Sequence, residues 1–155
     1  TNCTIAANGA FGISSNAPTV VNTIVYHNGP DTGAPQIDSD SAIVSYSDVQ
    51  GGWPGEGNID ADPLFVWLGH WSGAVGGPAG SSDGFWVSGD YHLRSQAGRW
   101  DQFFIQDWVQ DWTTSPCVDA GDPDSDYSPE PAPNGGRTNM GAYGGTPQAS
   151  KSLAG

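Results

Sequence analysis

Basic residues are scarce in this chain of 155 residues: four Lys and Arg stand against 17 Asp and Glu, for a net charge of −13. Nucleic-acid binding needs a basic footprint, so this balance excludes nucleic acid as a partner and disfavours anionic membrane surfaces. Long apolar runs are also missing, since none approaches the about 20 residues that a membrane-spanning helix needs. We therefore expect neither nucleic-acid binding nor membrane insertion.

Motifs of common catalytic sites are missing as well. The histidines His27, His70 and His92 occur in none of the usual zinc-enzyme spacings, and no nucleophile elbow or phosphate-binding loop is present. Alternation in the segment Tyr91-His92-Leu93 predicts a strand with His92 on its outer face. We predict no catalytic residues. A remnant of a polysaccharide lyase or hydrolase, with paired carboxylates, is retained as an alternative.

Cysteine is nearly absent, with only Cys3 and Cys117. Two cysteines in a secreted protein are compatible with one disulfide, but sequence alone does not fix its geometry. Cys3 lies in a strand-like repeat, where a buried free thiol would pack well. The sequence favours two free thiols and leaves the disulfide open.

Turn-forming and aromatic residues are abundant: 23 Gly, 12 Pro, seven Trp, five Tyr and five Phe. Disordered chains are poor in aromatics, so this content indicates an ordered core. Short apolar stretches separated by Gly, Pro, Asn and Asp indicate many short strands, and no stretch shows helical periodicity with caps. The composition therefore predicts an all-β domain.

The first third of the chain contains an internal repeat. Residues 1–9 (TNCTIAANG) align with residues 21–29 (VNTIVYHNG) at an offset of 20, and residues 12–14 align with 36–38 at an offset of 24. A change in one turn explains the difference, because stacked repeats tolerate turn insertions while their strands keep register. The aligned pairs are Asn2–Asn22, Ile5–Val25, Asn8–Asn28 and Gly9–Gly29 at the first offset, and Ile13–Ile37, Val20–Val44 and Asn22–Tyr46 at the second.

A repeat of this length accommodates three short strands and three turns, which is one coil of a solenoid. We predict a right-handed parallel β-helix of about two to three coils over residues 1–52. Residues 53–155 are predicted to extend the last coil as an irregular, aromatic-rich C-terminal cap of the same domain. Asn side chains at matching positions are expected to form a ladder along the stack.

Four longer strings strengthen this interpretation. Residues 43–66 (IVSYSDVQGGWPGEGNIDADPLFV), 90–100, 115–126 and 135–153 resemble, in this order, the C-terminal region of bacterial secreted right-handed parallel β-helix repeat proteins. The resemblance implies a secreted or cell-surface location, and polysaccharide-active enzymes with their catalytic residues elsewhere belong to the same superfamily. Residues 67–89 look like an insertion relative to that pattern, and residues 101–114 are richer in aromatics.

The tryptophans are confined to the stretch between positions 53 and 112. Large aromatics cover the open end of a coil stack, and we assign Trp53, Trp100 and Trp108 to this role. Exposed indole rings also stack on sugars. The candidates for a carbohydrate or partner surface are Trp67, Trp71 and Trp86.

Acidic residues cluster in loops rich in Gly and Pro, at Asp60 and Asp62 and again in residues 119–126 (DAGDPDSD). Asp caps turns through backbone N–H groups, but several loop oxygens are also what Ca²⁺ prefers. Both interpretations stay open. The residues for calcium are Asp119, Asp122, Asp124 and Asp126.

The first coil would expose a bare edge, with Asn2, Ile5, Ile13 and Val20 as its assembly face. Upstream coils or another copy of the chain would cover it, and head-to-tail contacts between copies would give filaments. Asn2-Cys3-Thr4 also matches the N-glycosylation pattern. We expect a structural or adhesive extracellular module, with carbohydrate binding as the alternative.

Overall fold

The computed structural model describes residues 1–29, 33–72 and 85–153, with 13 short strands and no helix in these ranges. None of the described residues therefore belongs to a helix that could span a membrane. The all-β prediction is confirmed. The strands are β1 (Thr4–Ala6), β2 (Ile13–Ser14), β3 (Thr19–Val21), β4 (Ile24–Tyr26), β5 (Ile37–Asp38), β6 (Ile43–Ser45), β7 (Asp48–Val49), β8 (Phe65–Trp67), β9 (His70–Ser72), β10 (Phe85–Val87), β11 (Asp90–Leu93), β12 (Arg99–Asp101) and β13 (Asp107–Val109).

The first seven strands form three small parallel ladders, with the orders β1-β4-β7, β2-β5 and β3-β6. Between β1 and β4 the Cα partners follow the first offset of the repeat, since Ile5 pairs with Val25. In the other two ladders they follow the second offset, as for Ile13 with Ile37 and Val20 with Val44. Both predicted offsets are confirmed.

Residues with positive φ repeat at the same two offsets. Asn2, Asn22 and Tyr46 have φ values of 51°, 52° and 46°, and Asn22 lies in the bend between β3 and β4. Asn adopts this left-handed conformation more readily than other side chains, which is why it suits a tight corner. Asn22 and Tyr46, which the repeat aligns, thus have the same left-handed conformation at equivalent corners of the backbone.

The predicted Asn ladder forms at one position. Asn8 Nδ2 donates to Asn28 Oδ1 at 2.8 Å, across the register of the first ladder. Asn2 and Asn22 do not bond to each other through their side chains: Asn2 Nδ2 donates to Gly144 O and Asn22 Nδ2 donates to Ser125 Oγ. At that corner the Asn side chains therefore bond to the C-terminal segment and not to each other.

The three ladders enclose an apolar core. Val25 and Val49, from the β1-β4-β7 ladder, meet apolar side chains of the other two ladders, and Trp53 packs against the same cluster. The packing of Trp53 is compatible with the covering role predicted for it, which stays a prediction. The buried members of the cluster are Val20, Val25, Ile37, Val44 and Val49.

Residues after β7 cover the far side of these ladders. Ile59 pairs with Asp48 as a parallel bridge, and Val49 N donates to Ile59 O at 3.0 Å. Tyr46 N donates to Glu56 O at 2.7 Å, and Asn58 Nδ2 donates to Val44 O at 2.9 Å. These bonds satisfy backbone groups that an edge would otherwise leave open.

A second core lies on the opposite face of β4, where Ile24 is fully buried. Alternation along β4 sends Val25 into the first core and Ile24 into the second. Residues after β7, among them Phe65 and Met140, thus pack against the flank of the β1-β4-β7 ladder as well as its end. The buried members of the second core are Ile24, Phe65, Leu93, Cys117 and Met140.

The remaining strands form two-stranded antiparallel sheets, β8 with β11, β9 with β10 and β12 with β13. Trp100 and Trp108 face each other across β12 and β13, with ring centroids 5.8 Å apart, and the Lys151 ammonium lies 4.0 Å from the Trp108 ring centroid. They stabilise this hairpin and do not belong to either apolar core, so the capping role expected for them is not seen.

Beyond residue 109 the described chain has turns and bends in place of strands, held by buried polar contacts. Glu130 Oε1 accepts bonds from Thr138 Oγ1, Asn139 N and Gly145 N at 2.7 to 2.9 Å. Burial raises the pKa of the Glu130 carboxyl above its ordinary value. This carboxylate thus links residue 130 to the segment from residue 138 to residue 145.

Candidate functional site

An open cleft of about 600 Å³ lies where β8 and the end of β4 meet the segment after β13. Its two tryptophans are exposed, Trp67 at 43% and Trp112 at 80% of their surface. Ligand pockets commonly have volumes of about 300–1,000 Å³, with aromatic walls and a few polar groups. The lining residues are His27, Asp62, Leu64, Phe65, Val66, Trp67, Leu68, Arg94 and Trp112.

The backbone that carries Trp112 is held on both sides. The preceding residue, Asp111, donates its N–H to Ser95 O at 2.9 Å and accepts at Oδ2 from Ser95 N at 2.9 Å. Arg99 Nε also donates to Asp111 Oδ2 at 3.0 Å, and Gln96 Nε2 donates to Trp112 O at 3.3 Å. The backbone from which the exposed indole projects is therefore held in place.

Arg94 is anchored in the wall of the same cleft. Its Nη2 donates to Val66 O at 3.0 Å and its Nε to Phe65 O at 3.4 Å, while its backbone N–H donates to Leu64 O at 3.1 Å. These bonds fix the guanidinium plane against β8. Within the described residues its third nitrogen, Nη1, has no partner and is the donor that remains for a ligand.

His27 and Asp62 add further polar groups to the lining. His27 has a φ of 58° directly after β4, and its N–H donates to Gln50 Oε1 at 2.8 Å. Asp62 Oδ1 accepts from Leu64 N at 2.9 Å, in the turn that leads into β8. The cleft thus combines a fixed cation, a carboxylate and an imidazole with two indole rings.

Two of the three tryptophans predicted for ligand binding, Trp67 and Trp86, have described side chains. Trp67 lines the cleft, and Trp86 is not among the described residues that line it. Trp86 is half-buried and lies over Gly69, where an added Cβ would come within 2.4 Å of its ring. The Cα of Trp71 pairs with that of Trp86 across β9 and β10, but the Trp71 side chain lies outside the described structure, as do residues 73–84.

The side chains of three of the four Asp residues predicted for calcium accept bonds from backbone N–H groups. Asp122 Oδ1 accepts from Asp124 N, Asp126 Oδ1 from Ser128 N, and Asp119 Oδ1 from Gly135 N, at 2.9 to 3.1 Å. Among the described residues no group of three or more His, Cys, Asp or Glu is arranged to hold a metal. The bonds of Asp122 and Asp126 are those of turn caps, the bond of Asp119 joins two distant segments, and calcium binding stays a prediction.

The apolar side chains of the expected assembly face point into the first core and are partly or fully buried there. Ile5 and Ile13 are half-buried against the first core, and Val20 is buried. Asn2 is held at the C-terminal segment through its bond to Gly144 O, so its amide nitrogen, the glycosylation candidate, is engaged.

His92 was expected on an outer face, and this expectation is wrong: the side chain is completely buried. Its Nδ1 lies 2.6 Å from Asp90 Oδ1, and its ring stacks on Tyr143 with centroids 3.6 Å apart. The alternation rule fails because β11 is covered on both faces, by the second core and by the C-terminal segment. The local sequence of β11 does not predict that Tyr143 covers His92.

The two cysteines are free, with Cys117 buried and Cys3 exposed. The disulfide that the sequence left open does not form, and the expected burial of Cys3 is wrong. Cys3 precedes β1, at the edge of its ladder, where no further strand in the described residues covers it.

Comparison with known families matches one stretch of the chain. Residues 85–121, which run from β10 past β13 and include Arg94 and Trp112, match a family model described as "Disaggregatase related". No curated protein and no solved structure matches the chain. The match covers less than half of the chain and is not to a β-helix repeat family, so membership in such a family stays a proposal.

Proposed function

We propose that the chain is a non-catalytic structural or adhesive module of a secreted or cell-surface protein, built on coils of a right-handed parallel β-helix. The observation that carries this proposal is the register of the three parallel ladders, which follows the two offsets of the sequence repeat around one apolar core. A turn of chain that forms three ladders with the next turn is the arrangement of a solenoid.

The two sides of this stack differ. On the far side, Glu56, Asn58 and Ile59 already bond to the ladders. On the near side, β1, β2 and β3 each have a ladder neighbour on one side only within the described residues. An edge of this kind is a template for pairing with another chain.

In this proposal a second copy of the chain occupies the near edge. Because the far edge is already bonded at β6 and β7, the arrangement favours association of two copies through the same edge over the head-to-tail filament that the repeat alone suggested. The acidic composition and the low Lys content agree with an extracellular setting.

Thr19 offers a way to block this edge. The carbonyl oxygen of Pro18 accepts from Ile43 N at 2.9 Å, so the backbone groups of the next residue, Thr19, point away from β6. Thr19→Pro removes an outward N–H group and leaves the β3-β6 ladder intact. Thr19→Ala is the matched control, since it keeps that N–H group.

Sedimentation velocity over a hundredfold range of protein concentration, with electron microscopy of the same samples, is the test. We expect dimers in the wild type and in Thr19→Ala, and monomers in Thr19→Pro. Monomers at every concentration in the wild type, dimers in Thr19→Pro, or long fibres would each overturn the proposed pairing.

A further inference from the structure

The geometry of the aromatic cleft points to a binding site for a neutral polysaccharide. We infer that a sugar ring packs on the indoles of Trp67 and Trp112, with Arg94, Asp62 and His27 bonding to its hydroxyl groups. This inference is independent of edge pairing, because the cleft uses none of the residues of β1, β2 or β3.

The exposure of the two indoles is the first step. Tryptophan has the largest apolar surface of any side chain, and leaving it in water forfeits the gain of burial. Trp112 is 80% exposed and Trp67 is 43% exposed, and both line the same cleft. Clustered exposed apolar surface of this kind marks a binding site more often than scattered residues do.

Preorganisation is the second step. Trp112 follows the fixed residue Asp111, and Arg94 is held by two carbonyl oxygens of β8. A ligand that binds here would not have to order the Arg94 guanidinium or the backbone that carries Trp112, which lowers the entropy cost of binding.

The chemistry of the lining identifies the class of ligand. A purely apolar ligand would displace water from the remaining donors of Arg94 and the remaining acceptors of Asp62 without replacing those hydrogen bonds, which is costly. A sugar ring has an apolar face for an indole and hydroxyl groups at its rim that both donate and accept. Arg94 supplies donors, Asp62 supplies acceptors and His27 supplies one of each when neutral.

Charge decides between neutral and acidic glycans. The chain has a net charge of −13, and Asp62 contributes a negative charge to the cleft itself. The negative charge of the protein would repel a polyanion at short range, because electrostatic interactions are screened over about 8 Å in physiological salt. An uncharged chain of sugars avoids this cost.

Affinity electrophoresis in native gels tests the inference, with gels containing xyloglucan, galactomannan, dextran, hydroxyethyl cellulose or polygalacturonate. We expect retardation of the wild type by at least one neutral polymer. Trp112→Ala and Trp67→Ala should each weaken that retardation at least about tenfold in apparent affinity, the loss typical of a binding hot spot. Phe104→Ala is the control, because Phe104 is 87% exposed and does not line the cleft.

The outcomes separate clearly. Retardation lost in both tryptophan variants and kept in Phe104→Ala supports the site. No retardation in any neutral polymer, retardation by polygalacturonate alone, or unchanged retardation in Trp112→Ala overturns it. Because Trp112 is exposed and its backbone bonds are independent of its ring, a folding defect would not imitate the expected loss, and thermal unfolding of each variant checks this.

Discussion

The thiol of Cys117 donates to the carboxylate of Asp48 at 3.1 Å inside the second core, where both residues are fully buried. Asp48 also accepts from Ala61 N at 3.1 Å. Burial raises the pKa of Asp48 to about 6, and the nearby Asp60 and Asp62 add to this effect, while the bonds from Cys117 and Ala61 oppose it. The buried carboxyl of Asp48 therefore destabilises the folded protein when it is ionised, and the size of this effect depends on pH.

Replacing Asp48 with Asn is expected to stabilise the protein at neutral pH. The pKa of Asp48 is raised in the folded state, so its contribution to stability is fully present below about pH 4 and is lost as the pH rises through about 6. The difference between the ordinary value and about 6 corresponds to roughly 3 kcal/mol as an upper estimate. Asn keeps an acceptor for Ala61 N and never ionises.

Urea unfolding of both proteins at pH 4, 5.5 and 7.5 measures this. The free energy of unfolding of Asp48→Asn minus that of the wild type should grow from near zero at pH 4 to a clear gain at pH 7.5. Taking the difference between the two proteins cancels the pH dependence that other carboxyls, such as Glu130, contribute to both. A difference that is constant with pH would contradict the assigned pKa.

The two thiols should differ sharply in reactivity. Burial raises the pKa of the Cys117 thiol far above its ordinary value, and Asp48 adds to the effect, whereas Cys3 is exposed. Thiolate is the reactive form, so only Cys3 should react in the folded protein. Ellman's reagent should count one thiol in native buffer and two in guanidinium chloride. A count of zero in both would mean a disulfide, and two fast thiols in native buffer would mean that Cys117 is accessible.

Much of the first third could be predicted from sequence, because its strands are specified locally. Ile5 with Val25 and Val20 with Val44 are apolar pairs in a repeat, and a ladder must stack them to bury both. Asn at position 22 marks a left-handed corner for the same local reason. Because the sequence repeats, the strands of one repeat predict the positions of the strands in the next.

The cleft and the second core could not be predicted in the same way, because they join segments far apart in the chain. Trp112 lies beside residues of β8, and the Arg94 side chain reaches back to the carbonyl oxygen of Val66. His92 is buried by Tyr143, which lies much later in the sequence. No periodicity within one segment shows such contacts. The aromatic richness of residues 101–114 was the one signal that pointed towards Trp112.

Asn28 is expected to be a stability centre of the first ladder. Its Nδ2 donates to Ile5 O at 2.9 Å and to Gln36 Oε1 at 2.8 Å, and its Oδ1 accepts from Asn8. Asn28→Ala would leave buried partners unsatisfied, and we expect a loss of about 2–4 kcal/mol in the free energy of unfolding. Asn8 is the exposed partner in the bond to Asn28. Asn8→Ala should therefore lower the free energy of unfolding by less than about 1 kcal/mol. Urea unfolding compares the two, and equal losses would contradict the role given to Asn28.

Two glycines between β1 and β2 form a matched pair for a test of the packing between the parallel ladders. A Cβ at Gly12 would lie 2.7 Å from Val25 Cγ1 and 2.8 Å from Gln36 O, whereas a Cβ at Gly9 would meet nothing within 4 Å. Gly12→Ala must therefore push the β2-β5 ladder away from β4, at a cost of about 1–3 kcal/mol, the usual range for overpacking. Gly9→Ala should change stability by less than about 1 kcal/mol, with stabilisation from a less flexible unfolded chain as the expected sign. Thermal unfolding by circular dichroism separates these outcomes. If both variants unfold at the same temperature as the wild type, the strands around Gly12 are not packed as closely as the registers of Ile13 with Ile37 and Ile5 with Val25 require.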